Sequence, residues 1–384
     1  MRLLFRRIAD YIRECDKLLY ILFLVTTSFG CIAVLSTTYA QNGPKDFITQ
    51  VVSMILGMIA IIIISSLHYK NICRFWPIVA AVGLIPVVLT FFIGYAPGAT
   101  DDKAWLMLPG NISFQPSELL KICFIVTFAY HCFKIGDKVK KFWHVVLLCI
   151  HGAAPVLLIH FQGDDGTALV FAFMFVGMMF VAGVPIRYFI ILLSAAVIAA
   201  PFAYFFIMND DQQARINALF SGEATDYLGT LYQQYKGRIA LANGGLFGKG
   251  LFKGPMVQSG GVPYGYNDFI FTCIGEELGL VGCLLVLALI AAICIRILRI
   301  GFLSDSKMGL IICTGIFMML VSQTIINVGM CLWLLPVIGV TLPLFSAGGT
   351  SLLFTYCGFG LVMSVYMHRN SGTVYLRDEM TRYG

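Results

Sequence analysis

Residues 47–67 read FITQVVSMILGMIAIIIISSL and residues 167–186 read TALVFAFMFVGMMFVAGVPI, two runs without one Asp, Glu, Lys or Arg. A bilayer core about 30 Å thick is crossed by roughly 20 helical residues at 1.5 Å each, so either run suffices for one crossing. The rest of the chain agrees. Of 384 residues, 59% are hydrophobic and only 12% are charged, with a mean hydropathy of +0.86. A soluble globular protein carries about 25% Asp, Glu, Lys and Arg. The chain therefore reads as an all-α integral membrane protein, and soluble enzymes and nucleic-acid readers are excluded.

Ten apolar runs predict spanning helices, at 18–36, 47–67, 75–95, 117–133, 142–161, 167–186, 187–208, 269–298, 308–328 and 347–367. The whole chain, 1–384, reads as a single polytopic domain. An even number of crossings puts both termini on one face, and the basic residues say which. With the N-terminus inside, Arg2, Arg6, Arg7, Arg13, Lys17, Lys70, Arg74, Lys134, Lys138, Lys140 and Lys141 are cytoplasmic, whereas the short outer loops hold only Lys45 and Lys103. The polar, basic first residues precede a full-length apolar run followed by further spans. That pattern predicts an uncleaved first helix, not a signal peptide.

The connection between the seventh and eighth runs, Asn209 to Asp268, is about 60 residues long and outer-facing, a length usually reserved for function or disorder. Its Phe220, Tyr227, Leu231, Tyr232, Tyr235, Ile239 and Leu246 are spaced to form short amphipathic helices lying on the membrane surface.

The chemistry-bearing residues gather at the outer starts of the even-numbered helices, where helix dipoles are positive. The fourth opens Gln115-Pro116-Ser117-Glu118 with Lys121 a turn further. The sixth opens Gly163-Asp164-Asp165-Gly166-Thr167, and the eighth opens Asn267-Asp268 and reaches Glu276-Glu277. Caps explain Ser117 or Asp165 equally well when each is taken alone. They do not explain Glu276 and Glu277, eight and nine residues past Asp268 and so roughly 12 to 14 Å into the helix, where an unpaired charge costs at least about 2.5 kcal/mol. Glu118 and Lys121, three apart, can pair with each other or with Asp164. The expectation is an outward-facing polar cavity between helices four, six and eight. Helix N-termini and a lysine favour a phosphate there, and acids beside a phosphate point to general-base work or to a divalent cation, Mg or Mn.

Gly244-Gly245-Leu246-Phe247-Gly248-Lys249-Gly250 is not a nucleotide loop. Position 243 is Asn, and Gly250 follows the lysine where Ser or Thr is required. Tight turns needing positive φ are the better reading, with Lys249 kept as a candidate phosphate contact. The histidines lack ligand spacing, and the 12 cysteines form no CxxC pair.

Taken in order, the motifs resemble the SEDS family (shape, elongation, division and sporulation), whose members include RodA, FtsW and SpoVE. Phe114 to Leu119 with Lys121 resembles FQPSE-x-x-K, Gln162 to Thr167 resembles QPDLGT, Gly244 to Leu251 resembles GGLFGKGL, and Asn267 to Gly279 resembles TDFIFAVIGEELG. Asn327 to Met330 resembles NxGM, and Leu335 to Ser351 resembles LLPxTGxPLPFxSxGGxS. Gly163 and Asp165 depart from Pro and Leu of the pattern, Asn267 from Thr and Ala347 from Tyr.

The resemblance implies a peptidoglycan glycosyltransferase that polymerises lipid II, with undecaprenyl pyrophosphate-linked glycan as donor. It implies residence in the cytoplasmic membrane of a bacterium and a class B penicillin-binding protein as partner. It puts the essential acid on Asp268 and the loop tryptophan on Trp105, and because an inverting displacement needs a base for the acceptor proton, Asp268 is the expected catalytic base. Glu118, Lys121, Asp164, Lys249, Glu276, Glu277, Gln323, Asn327 and Ser346 complete the expected substrate-binding set. Short tails lean toward a RodA-like member. The competing class is a flippase or other transporter of lipid-linked precursor, against which the clustering of unusual residues at one face argues.

Overall fold

The computed structural model describes residues 11, 13–96, 103–110, 112–206, 208, 210–220 and 231–369. Ten helices among them are long and apolar enough to span a bilayer. They are α1 (Lys17–Asn42), α2 (Lys45–Ser66), α3 (Trp76–Ile93), α4 (Pro116–Ile135), α5 (Phe142–His160), α6 (Asp165–Ala182), α7 (Ile186–Phe206), α8 (Ile270–Phe302), α9 (Lys307–Cys331) and α10 (Gly349–Met367). The ten predicted runs are thus all present, with ends displaced by a few residues.

Burial separates inner from outer helices. α9 is the central one, with α6, α8, α4 and α10 around it. Small residues allow the close approaches, as membrane helices require where lipid supplies no hydrophobic drive. A Cβ on Gly57 of α2 would fall 2.6 Å from the Tyr356 ring of α10, so those two helices pack nearly backbone to ring. The opposite extreme is α7, none of whose residues is buried. Being apolar all round, it suits lipid on every side.

At the face opposite the long connection, Asp16 caps α1 by accepting from the Leu19 N–H at 2.8 Å. Its other oxygen, Oδ2, takes Arg296 of α8 through Nε at 2.9 Å and Nη2 at 2.5 Å. This part-buried pair fixes the first helix against the eighth.

A hairpin between α3 and α4 was not among the expected elements. Strands β1 (Leu106–Leu108) and β2 (Ile112–Phe114) pair antiparallel, Leu106 opposite Phe114. Trp105 adds a bridge to Tyr95 through two backbone bonds of 2.9 and 3.3 Å. Pro109-Gly110, with Gly110 at φ 87°, supplies the turn chemistry between the strands.

The long connection between α7 and α8 contains helices Asp210–Phe220, Tyr232–Gly244 and Pro255–Gln258. Tyr227 and the Phe220 side chain lie outside the described residues. The Tyr232–Gly244 helix packs against protein on one face. It docks on the start of α8 through Gly237, Ala240 and Gly244, close enough that a Cβ on Gly244 would sit 1.9 Å from the Gly275 carbonyl oxygen.

α8 is itself broken. Gly279 has φ 68° and ψ −164°, which leaves the carbonyls before the break and the N–H groups after it without helical partners. The Gly244–Gly250 loop enters the gap. The N–H groups of Lys249 and Gly250 donate to the carbonyls of Glu276 and Glu277 at 2.9 Å each, and the carbonyls of Gly245 and Leu246 accept from Leu280 and Val281 at 2.9 and 3.2 Å. Gly245, Gly248 and Gly250 all have positive φ. The glycines of the motif therefore serve a backbone path that caps both halves of α8.

Candidate active site

Four charged residues meet at the loop face. Lys121, 1% exposed, donates to Glu118 Oε1 at 2.8 Å one turn away on α4. This uses one of three ammonium N–H donors. Asp164 caps α6, accepting from the Thr167 N–H at 2.9 Å, and also accepts from Gln115 Nε2 at 3.1 Å. Burial raises its pKa above the ordinary carboxylate value. The Thr167 bonds and the Lys121 charge pull it back, and Glu118 pushes it further up. Asp268 completes the group from the turn before α8. Burial, with the Asp164 charge second, pushes its pKa up to about 6 from 3.8.

The backbone around Asp268 is held from three directions. Asn327 Nδ2 donates to the Asp268 carbonyl at 2.7 Å and to the Val340 carbonyl at 2.8 Å. Ser346 Oγ donates to the Asn267 carbonyl at 2.7 Å while accepting from the Leu342 N–H at 2.8 Å. The Ala347 N–H donates to the Tyr266 carbonyl at 2.8 Å. Gln50 of α2, missed in the sequence, locks the same corner: its Nε2 donates to the Ser346 carbonyl at 3.0 Å and its Oε1 accepts from Gly348 at 3.3 Å. An amide amid the apolar run of α2 was its signal. The side chain of Asp268 accepts no hydrogen bond among the described residues, and Ser117 Oγ and Asn267 Oδ1 are buried without partners. Buried polar atoms are seldom left so, and these two belong to the residues next to Glu118 and Asp268 in the sequence.

Asn327 and Ser346, expected on the substrate, are therefore committed to the backbone that presents Asp268. Gln323 is buried one turn before Asn327. Trp105 is held in the hairpin bridge, and Lys249 is exposed on the α8-break loop.

Glu276 and Glu277 do not join the cluster. Glu276, 0% exposed, accepts from the N–H groups of Met256 and Val257 at 3.1 and 2.8 Å and from Asn243 Nδ2 at 3.2 Å. Glu277 accepts from Ser36 Oγ at 2.7 Å and from Gln258 Nε2 at 2.9 Å. They lie just before the break at Gly279, and the long connection together with Ser36 of α1 satisfies them.

The two acids of the α6 start also part company. Asp165 takes His160 Nδ1 at 2.5 Å and Gln212 Nε2 at 2.6 Å, which ties the Asp210–Phe220 helix to α6. Asp164 alone turns to Lys121 and Asp268.

Among the described residues no three His, Cys, Asp or Glu side chains lie close enough to hold a metal ion. A Mg or Mn ion there would have to complete its shell with substrate oxygens, as one or two carboxylates and a phosphate commonly allow.

The family model named for FtsW, RodA and SpoVE and described as "Cell cycle protein" matches residues 16–371. A relative named "Probable peptidoglycan glycosyltransferase FtsW" from Geobacter metallireducens is 31% identical, over 95% of this chain and 98% of that one. One named "Peptidoglycan glycosyltransferase MrdB" from Escherichia coli is 30% identical, over 92% and 94%. A solved chain from work described as "Structural coordination of polymerization and crosslinking by a peptidoglycan synthase complex" superposes with TM-score 0.79 and 25% identity, covering 93% and 98%. The Thermus thermophilus rod shape determining protein RodA superposes with TM-score 0.68 and 24% identity over the same shares.

Proposed function

The chain belongs to the FtsW/RodA/SpoVE family of cell cycle proteins, the SEDS family its motifs resemble, and from that premise we propose that it is a peptidoglycan glycosyltransferase polymerising lipid II. The observation that carries the reading is Asp268. Its carboxylate is unengaged among the described residues, its backbone is clamped by Asn327, Ser346 and Ala347, and its pKa of about 6 suits a base working near neutrality.

In the reaction Asp268 takes the proton of the 4-hydroxyl on the incoming lipid II sugar. The freed oxygen attacks the anomeric carbon of the growing glycan, and the bond from that carbon to the pyrophosphate oxygen breaks with inversion. The electron pair leaves with undecaprenyl pyrophosphate, a good leaving group that needs charge neutralisation more than a proton. Lys121 supplies that charge through the N–H donors Glu118 does not use. Asp164 holds Gln115 and, through its own charge, keeps Asp268 basic. A Mg or Mn ion enters this scheme only as a companion of the substrate pyrophosphate, and activity measured after chelation tests for it.

The basic-residue asymmetry supports an orientation with both termini cytoplasmic and the long connection outside, in the cytoplasmic membrane of a bacterium. The similarity to a chain of a peptidoglycan synthase complex supports a crosslinking partner, a class B penicillin-binding protein. The test is polymerisation of lipid II by the purified protein with that partner in sealed vesicles. Glycan strands are expected. Lipid II translocation without polymer overturns the reading in favour of a flippase. Side-wall or septal localisation of a tagged copy assigns it to elongation or to division.

A further inference from the structure

The loop that fills the α8 break also carries four large apolar side chains in the open: Leu246 at 62% exposure, Phe247 at 80%, Leu251 at 36% and Phe252 at 42%. Floppiness does not explain them. Four backbone bonds to residues 276–281 hold the loop on both sides of the break. Phe252 sits at φ 61°, a left-handed conformation unfavourable for an aromatic residue, with its N–H on Ser36 Oγ at 3.2 Å. Among these apolar residues stand Lys249 and Lys253, both exposed and neither in an ion pair among the described residues.

The level of the loop relative to a bilayer follows from α8. Leu280 to Phe302 extends about 33 Å at 1.5 Å per residue, close to the roughly 30 Å hydrocarbon thickness. Leu280 thus stands at the hydrocarbon edge, and the loop tip bonded to Leu280 and Val281 stands beside it. The exposed face of α8, Leu280, Val281, Leu284 and Leu285, runs straight into Leu246 and Phe247. Apolar tips at the edge of the hydrocarbon with lysines among them match the layering of a leaflet, acyl chains below and phosphates above.

We propose that the Gly244–Lys253 loop is a membrane anchor, which lodges Leu246, Phe247, Leu251 and Phe252 in the leaflet on its own side and sets Lys249 and Lys253 on the phosphates of anionic phospholipid. The anchor stands independently of the glycosyl-transfer reaction. Through the α8 break it fixes the height of the turn that bears Asp268 above the bilayer.

The test uses the full-length protein carrying a photoreactive benzoyl-phenylalanine at position 247 and, separately, at 246. Irradiation in native membranes and in phosphatidylglycerol/phosphatidylcholine nanodiscs is expected to add the mass of one phospholipid at either position. Adducts to a second protein only, or no adduct at both positions, overturn the anchor. For the lysines, the phosphatidylglycerol enrichment retained by the Lys249→Gln/Lys253→Gln double variant is read by mass spectrometry of the same nanodiscs. A fall of about 5-fold per lysine is expected, and enrichment equal to that of the unaltered protein overturns the phosphate contact.

Discussion

Two groups of acids lie within ten residues of each other in the sequence, Asp268 and the pair Glu276 and Glu277, and the structure treats them oppositely. Glu276 collects three donors and Glu277 collects Ser36 and Gln258. Asp268 collects none among the described residues, while its backbone is gripped from α9 and from the turn before α10. A carboxylate whose lone pairs are filled by its own protein is a structural joint. One whose main chain is immobilised while its side chain is left open is held ready for a ligand's proton. Total burial, by contrast, is greater for the joint than for the reactive group.

The largest effect that can break this contrast is on turnover. Asp268→Asn is expected to lower the polymerisation rate by about 10² to 10⁴-fold, the range of a lost general base, in a protein that still folds and still binds its partner. A variant with normal rate ends the base assignment. Next comes Glu276→Ala, which leaves two backbone N–H groups and an amide buried without acceptors at about 1 to 3 kcal/mol each. It is expected to lower the melting temperature and the yield far more than Asp268→Asn does. Equal melting temperatures for the two variants would erase the distinction.

Asn327→Ala removes the grip on the Asp268 carbonyl without touching the carboxylate. A loss of about 10- to 100-fold in kcat, with KM little changed, is expected from misplacement of the base. A change confined to KM would return Asn327 to the substrate.

Acidity sharpens the contrast further. With its folded pKa near 6 against 3.8, Asp268 is protonated more readily in the folded than in the unfolded chain. Its contribution to stability is therefore greatest below pH 4 and is lost as pH rises through about 6. At neutral pH the ionised group costs about 3 kcal/mol, so Asp268→Asn should raise the melting temperature at pH 7.5 and not at pH 4. Activity should run the other way, falling about tenfold per pH unit below 6. A flat rate between pH 5 and 7 would refute the role.

Ten crossings, the long connection and most of the site were legible because apolar runs and rare charges are strong signals in a chain with so few charges. Asp268, Asp164, Glu118 and Lys121 come together as their helix-start positions suggested. What stayed hidden was geometry that breaks periodicity without breaking composition. A lone glycine such as Gly279 is tolerated inside a helix, so the sequence did not announce a helix in two pieces, nor that Glu276 and Glu277 would find their partners in the long connection and on α1. The glycines of residues 244–250 were readable as turns, but their partner in the gap, some 30 residues on, was not. Asn327 and Ser346 were visible as polar residues in apolar surroundings, yet a side chain that binds substrate and one that clamps a main-chain carbonyl look alike in sequence.

The joint between Asp16 and Arg296 sets a schedule for the nascent chain. Their separation is 280 residues, so at about 5 to 20 residues per second the ribosome leaves Asp16 waiting roughly 14 to 56 seconds for its counterion. α1 is thus locked at this joint only once α8 has emerged, whereas the loop that mends the α8 break emerges just before α8 itself.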